Sequence, residues 1–277
     1  MQKTKAEQAV TEASRLNARL VYEVIRRDGE EELKRPTRSL IWSGVAAGLL
    51  ISFSVLGEAV FRAHLPDVEW RFLVENLGYS FGFLLVILGR MQLFTENTIT
   101  TVLPMLDKQP NNCLRRMVRL WGIVLTANVV GAFFAALFMV VSGTLPAEVF
   151  DAVVSLSAHA TGFGPLQGFL KAIPAGILIA AIVWMMPGQQ GSEVLVIVLF
   201  TWLIAAGDFT HIIAGAVEMW VMVLLGDLGA AGALFGFFLP VLAGNVVGGT
   251  TVFAALAWGQ VRAEVEEEQG TQAPHPR

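Results

Sequence analysis

The sequence has 277 residues, of which 55% are hydrophobic, and its mean hydropathy is +0.61. This composition excludes a water-soluble domain and indicates a polytopic membrane protein, because each transmembrane helix needs about 20 mainly apolar residues. The net charge of −4 identifies no partner, and the single cysteine, Cys113, excludes an intrachain disulfide and a cysteine metal cluster.

The segment before the first apolar stretch, residues 1–38, is charged throughout, so we expect no cleavable signal peptide. Apolar residues recur in it at roughly helical spacing, at Ala9, Ala13, Leu16, Leu20 and Val24. This spacing predicts a cytoplasmic amphipathic helix over Thr4–Glu32. We expect the helix to pack on the membrane surface or on a neighbouring subunit, and we expect no binding to nucleic acid.

Six apolar segments follow and predict six transmembrane helices in one domain over residues 39–260. Four of these segments are uninterrupted: Ser39–Val60, Cys113–Val141, Phe169–Met186 and Leu228–Trp258. The second and fifth, Phe72–Leu106 and Val194–Leu225, contain polar residues and are long enough to break and continue. Residues 261–277 are acidic and then rich in glycine and proline, which predicts a disordered cytoplasmic tail.

The basic residues predict the orientation of the chain. Lysines and arginines are frequent before the first span, and a second basic group lies between the second and third spans: Lys108, Arg115, Arg116 and Arg119. The first outer loop has only Arg62 and Arg71, which acidic residues balance. The positive-inside rule then places both termini in the cytoplasm. We expect a multi-pass protein of the bacterial inner membrane, surrounded by lipid.

Polar residues interrupt the second span at Gly89–Asn97 and the fifth at Ala206–His211. A pair of broken segments at corresponding positions of two halves indicates a transport site near the membrane midplane. Two further pairs of segments match in order: Ala47–Leu50 with Ala175–Leu178, and Ala127–Gly131 with Gly244–Gly248. Three spans per half give the halves opposite orientations, which predicts a 3+3 inverted repeat.

Each break offers side chains that can cap the half-helix that follows, namely Thr95 in the first and Asp208 or Thr210 in the second. Free backbone groups cost several kcal/mol each in hydrocarbon, so a break must line a cavity or be covered by protein. The two restarted half-helices would direct the positive ends of their dipoles toward the centre of the protein. This arrangement favours an anion there.

The residues of both breaks carry a family resemblance. Leu93–Thr95, Gly207–His211 and Gly244–Gly249 resemble signatures of the formate/nitrite transporter family, and Gln92–Thr98 resembles its YfdC-type branch in particular. The order and spacing of the six spans, over about residues 40–258, match as well. The resemblance implies an aquaporin-like protomer, a homopentamer with one pore per protomer, and passage of small monovalent anions or their acids.

The resemblance also implies that Thr95 and His211 face each other at the centre of the pore, between apolar constrictions. The predicted pathway joins these two residues with Tyr79, Phe83, Leu93, Phe94, Ile204 and Phe209. His211 is the one histidine inside a predicted span. We expect it to donate a hydrogen bond when neutral and a proton when an anion arrives.

The chain departs from the better-known members of the family at Arg90, where a small residue is usual, and at Asp208, which replaces a glycine-like position. A charged residue near the centre of a membrane helix costs about 2.5–3.5 kcal/mol. Since the two residues occupy similar places in the two breaks, we predict an ion pair between them that fixes both loops. Lys171, at the outer start of the fourth span, either attracts anions to the vestibule or only extends to the membrane interface.

These features predict a channel or transporter, not an enzyme, for small monovalent anions or weak acids of the formate or nitrite type, linked to protons through His211. Glu218 lies on the same helix face as His211, but two ligands are too few for a metal, and we expect neither metal nor cofactor. Two alternatives stay open. One is a membrane hydrolase that uses His211 with Asp208 or Glu218, and the other is a non-transporting sensor or scaffold that acts through the N-terminal segment.

Overall fold

The structure, a computed structural model, describes residues 16–106, 112–189 and 191–272, and the regular elements in these ranges are all helical. In chain order the α-helices are α1 (Ala18–Glu32), α2 (Thr37–Leu50), α3 (Ser52–His64), α4 (Arg71–Glu75), α5 (Ser80–Leu88), α6 (Phe94–Thr100), α7 (Leu103–Leu106), α8 (Cys113–Val141), α9 (Ala147–Thr161), α10 (Pro165–Met185), α11 (Glu193–Ala206), α12 (Ile212–Leu225), α13 (Leu239–Val246) and α14 (Ala255–Gln272). Short 3₁₀-helices occupy Asn76–Tyr79 and Met186–Gly188, and π-helical turns occupy Gly232–Phe238 and Val247–Ala254.

Among the described residues, five helical segments are long and apolar enough to cross a membrane: Thr37–His64, Arg71–Leu88, Cys113–Val141, Pro165–Gly188 and Gly232–Glu264. Four of them overlap the uninterrupted apolar segments of the sequence, and Arg71–Leu88 is the first part of the interrupted second segment. The fifth predicted span corresponds to two shorter apolar helices, α11 and α12, which meet at residues 207–211.

Two helix pairs pack through backbone contacts at glycine. In the pair of α2 and α8, a Cβ on Gly48 would lie 2.0 Å from the carbonyl oxygen of Asn128. In the pair of α10 and α13, a Cβ on Gly176 would lie 2.3 Å from the carbonyl oxygen of Asn245. Both distances are too short for a side chain, so only glycine permits this close approach, which is how membrane helices pack without a hydrophobic driving force.

The helices α1 and α9 lie at opposite ends of the bundle. Arg119 in α8 donates to the Thr37 hydroxyl, so α8 starts beside the start of α2, close to α1. The 29 residues of α8 then extend about 43 Å, at about 1.5 Å per residue, before the chain enters α9. We call these the α1 end and the α9 end. At the α1 end the first helix packs on α7 and α14, and at the other end α9 packs on α3 and α12.

The terminal segments differ in part from the sequence prediction. The helix predicted over Thr4–Glu32 contains α1, while residues 1–15 lie outside the described part of the chain. The predicted disordered tail over residues 261–277 needs correction, because α14 continues to Gln272. The alanine, glutamate and glutamine residues of this stretch are strong helix formers, and the sequence analysis gave too little weight to that propensity. Residues 273–277 lie outside the described residues.

We predict that Gly48→Ala lowers the thermal stability of the protein, because the added methyl group meets the backbone of α8. Overpacking of this kind typically costs about 1–3 kcal/mol. The control is Gly122→Ala in α8, where a Cβ meets nothing within 4 Å. This control should match or slightly exceed the wild type. Thermal unfolding of purified protein in detergent measures the effect, and equal midpoints for both variants would contradict the proposed close contact.

Candidate functional site

Both helix breaks turn the chain in the same way. Arg90 and Asp208, with φ of 51° and 54°, are the non-glycine residues with positive φ in the described part of the chain. Each follows a glycine that ends a half-helix, Gly89 after α5 and Gly207 after α11. A left-handed conformation is unfavourable for a residue with a side chain, so the surrounding structure must impose it. The two breaks are therefore matched in backbone geometry as well as in sequence position.

A buried amide on α8 holds the first break. The Asn128 Oδ1 accepts a hydrogen bond of 2.9 Å from the backbone N–H of Phe94, the first residue of α6. Its Nδ2 donates to the carbonyl oxygens of Gly44 and Gln92, both at 2.8 Å. The side chain thus satisfies backbone groups that the break would otherwise leave free in an apolar environment.

A second buried amide holds the other break with the same set of bonds. The Asn245 Oδ1 accepts a bond of 2.8 Å from the backbone N–H of Ile212, the first residue of α12. Its Nδ2 donates to the carbonyl oxygens of Ala172 at 2.7 Å and Thr210 at 3.0 Å. In the sequence the two asparagine motifs indicated only an internal repeat, and these hydrogen bonds were not predicted. An asparagine inside an apolar span was the available signal, because a buried amide needs partners.

Thr95 and His211 meet between the two breaks. The Thr95 Oγ1 lies 2.7 Å from the His211 Nε2, and each residue is only 1% exposed. The His211 Nδ1 caps α12 by accepting a bond of 3.3 Å from the N–H of Ala214. Since Nδ1 accepts, the hydrogen-bond network assigns the proton of the neutral ring to Nε2, which then donates to Thr95. The Thr95 hydroxyl hydrogen is left to bond elsewhere.

Apolar rings lead from this pair toward the α9 end. The Phe83 ring lies 5.0 Å from the imidazole of His211 in edge-to-face geometry, and the Tyr79 ring lies 5.3 Å from Phe83. Leu93 and Ile204, also assigned to the pathway by sequence, are completely buried. The Phe94 ring packs edge-on against Trp121 at 5.6 Å, so its described ring contact is with α8. Phe209 lines the cavity described next.

A cavity extends from His211 toward the α9 end. We call it the acidic vestibule and define it by Glu58, Tyr79, Asp208, His211 and Glu218, which line it. Three of these five residues are acidic. In the part of the chain that the structure describes, no group of three or more histidine, cysteine or acidic residues could hold a metal ion.

The predicted ion pair between Arg90 and Asp208 is wrong. The Asp208 Oδ2 instead lies 2.7 Å from the Lys171 Nζ, which also donates to the Asp208 carbonyl oxygen at 3.1 Å. The Asp208 Oδ1 lies 2.9 Å from the His159 Nε2 on α9. The sequence left two roles open for Lys171, attraction of anions to the vestibule and extension to the membrane interface. In the structure Lys171 is bonded to Asp208. These contacts fix the second break to α9 and α10.

Arg90 lies at the other end of the bundle, which explains why it does not pair with Asp208. It is exposed and lines a cavity at the α1 end together with Asp28, Glu32, Gln92 and Glu96. The Gln92 Nε2 donates to the Glu32 Oε2 at 2.8 Å, which ties α1 to the first break. Burial raises the pKa of the Glu32 carboxyl, although a nearby guanidinium opposes the shift. Matched positions in the two breaks therefore face opposite ends and cannot pair.

Two residues that line the cavity of the acidic vestibule, His159 and Glu58, were not predicted from the sequence. His159 is on α9, a helix that was not predicted although Val149, Val153 and Leu156 have helical spacing and are buried. Glu58 lies inside the predicted span Ser39–Val60. An ionisable residue in a span is a candidate functional residue by default, so the position alone was a usable signal.

Known proteins resemble this chain over most of its length. A family model described as formate/nitrite transporter matches residues 19–259. The chain is 42% identical over 256 residues to the inner membrane protein YfdC of Escherichia coli (strain K12), covering 92% of this chain and 83% of that protein. It is 25% identical over 244 residues to the formate channel FocA of Haemophilus influenzae, covering 78% and 84% of the two chains.

Two solved structures have the same fold. A pentameric formate channel with formate bound matches with a TM-score of 0.70 and 20% identity, covering 82% of this chain and 98% of that one. An FNT family ion channel matches with a TM-score of 0.76 and 19% identity, covering 87% of this chain and 98% of that one. At these identities the likeness establishes the fold.

We predict that Asp208 is energetically coupled to Lys171 and independent of Arg90. Asp208→Asn removes the charge and keeps a residue that tolerates positive φ. Combined with Lys171→Met, it should deviate from additivity by about 0.5 kcal/mol or more, whereas combined with Arg90→Met it should be additive within about 0.3–0.5 kcal/mol. Thermal or chemical unfolding of the single and double variants provides the cycle. Coupling of Asp208 to Arg90 alone would reject the observed pairing.

Proposed function

This chain belongs to the formate/nitrite transporter family, and we propose that it moves small monovalent anions, or their protonated acids, across the bacterial inner membrane. The observation that carries this proposal is the buried pair of Thr95 and His211 between two helix breaks. Hydrogen-bond donors converge there inside an apolar surrounding, which suits a small anion. A relative is named a formate channel, and formate is the substrate with which to begin.

We further propose that the six spans form a 3+3 inverted repeat with an aquaporin-like pore through each protomer. The matched bonds of Asn128 and Asn245 support this, as do the matched contacts of Gly48 and Gly176. One structural neighbour is a pentameric channel. A homopentamer would cover apolar side chains such as Phe138, which is 60% exposed in the single chain.

We place the α1 end and both termini in the cytoplasm. Basic residues are concentrated at this end, in α1 and at the start of α8, where Arg115, Arg116 and Arg119 follow one another closely. The positive-inside rule associates such a concentration with the cytoplasmic side. The acidic vestibule then opens to the outside, and lipid surrounds the apolar spans.

The centre of the pore would lower the cost of passing an anion. An anion loses its hydration in a dry constriction, and this loss is expensive. The N-terminus of α12 offers a partial positive charge, and His211 offers its Nε2–H in place of the bond to Thr95. These interactions offset part of the cost. We propose that transport is linked to protons and depends on His211, so that anion and proton cross the apolar constriction together as the neutral acid.

The hydrolase alternative pairs His211 with Asp208 or Glu218, and the contacts in the described part of the chain oppose this. The two ring nitrogens of His211 are bonded to Thr95 and to the backbone N–H of Ala214. The Asp208 carboxylate contacts His159 and Lys171 instead. The sensor or scaffold alternative requires no transport, so a measurement of substrate flux tests it.

We predict that His211→Phe abolishes proton-linked formate uptake into proteoliposomes. Phenylalanine fills the same space beside Phe83 but offers no hydrogen-bond donor, so the uptake rate should fall by about 10²-fold or more. The control is His64→Phe, an exposed histidine at the end of α3, which should behave as wild type. Uptake is measured from about pH 5 to about pH 8. Wild-type rate and pH dependence in His211→Phe would show that the residue is only structural.

A further inference from the structure

Glu218 lines the acidic vestibule and has no role in the function proposed above. It lies seven residues after His211 on α12, which is about 10 Å along the helix axis toward the α9 end. In the described part of the chain it makes neither a hydrogen bond nor an ion pair. Ionisable groups inside membrane spans are costly, and where they line a cavity they commonly mark a path for ions or protons.

The cations near the vestibule are already bonded to other carboxylates. The Arg62 Nη2 lies 2.6 Å from the carboxylate of Glu75 and farther, at 4.0 Å, from that of Glu58. Glu58 is 8% exposed and makes no hydrogen bond within the described residues. Lys171 and His159 both contact Asp208. No cation in the described residues is therefore bonded to Glu218.

A negative charge on Glu218 would have no bonded cation in this cavity, because Lys171 contacts Asp208 and Arg62 contacts Glu75. Tyr79 and His211 also line the cavity and offer no positive charge while they are neutral. An unpaired carboxylate is disfavoured in such surroundings, and an entering anion that has lost its hydration there is disfavoured for the same reason. The resting form of Glu218 is therefore the carboxylic acid, which holds a transferable proton.

His211 is poorly placed to hold that extra proton. Its Nδ1 accepts from the backbone N–H of Ala214. A second proton on the ring would sit on Nδ1, and this Nδ1–H would point at the backbone N–H of Ala214. The helix dipole at the start of α12 also opposes a positive charge there. His211 is thus suited to receive the substrate through Nε2–H, and another group must supply the proton.

We propose that Glu218 gives the proton to the weak-acid anion in the acidic vestibule. This inference rests on the function proposed above. In the step, the O–H bond of the Glu218 carboxylic acid breaks and the proton joins an oxygen of the entering anion. The neutral acid continues past His211, and the Glu218 carboxylate takes a new proton from water at the mouth of the vestibule. The transfer neutralises the anion before it reaches the apolar rings.

The test is Glu218→Gln in proteoliposomes, with formate as the probe and an internal pH dye as the readout. Glutamine has the same shape but cannot give a proton, so formate-driven proton uptake should fall by about tenfold or more near neutral pH. Glu218→Asp should retain most of the rate. Asp227→Asn is the matched control, because Asp227 is exposed at the same end and does not line the vestibule.

A histidine at this position gives a second readout if Glu218→Gln fails to assemble. Glu218→His restores a transferable proton, and the pH profile of uptake should move toward the ordinary titration of histidine, near about pH 6.5. An unchanged rate in Glu218→Gln, or an unchanged profile in Glu218→His, would overturn the assignment to Glu218. A wild-type protein that moves formate without protons, or does not move it, would instead overturn the proposed function.

Discussion

Peptide groups that are not hydrogen-bonded cannot be left in a membrane interior, and this constraint governs the whole site. Each helix break frees backbone N–H and C=O groups. At each break one buried asparagine from a neighbouring helix bonds to a freed N–H group and a freed C=O group. Asn128 and Asn245 therefore make possible the break between α5 and α6 and the break between α11 and α12. Without these bonds α6 and α12 could not begin at the breaks, and Thr95 and His211 would not be brought into contact.

The need to satisfy the free backbone groups also determines which ring nitrogen of His211 accepts a hydrogen bond and which donates one. The residue is the N-cap of α12, and its Nδ1 satisfies a backbone N–H that the break has freed. Because that nitrogen is an acceptor, the ring presents Nε2–H to Thr95. Helix capping and presentation of Nε2–H to Thr95 are thus one arrangement, and in our proposal Glu218 of the acidic vestibule is the group that holds a proton without disturbing the cap.

Much of the fold could be predicted from the sequence, because apolar segments of sufficient length have few alternatives in a membrane. The positions of the breaks followed from the polar clusters, and the contact between Thr95 and His211 followed from the family resemblance. The contacts of Asp208 could not be predicted in this way. Similar positions in the two breaks suggested a pair with Arg90, yet Asp208 and Arg90 line cavities at opposite ends of the bundle. The partners of Asp208 come from α9 and α10, which only the packed structure brings together.

The helix break fixes the proton of a neutral His211 on Nε2, because the Nδ1 of the ring accepts from the backbone N–H of Ala214. Nitrogen NMR of histidine-labelled protein in lipid at neutral pH measures this directly, with the spectrum of His211→Phe used to assign the signals. The account predicts a protonated Nε2 and an unprotonated Nδ1 for His211. A proton on Nδ1, in either the neutral or the doubly protonated ring, would contradict it.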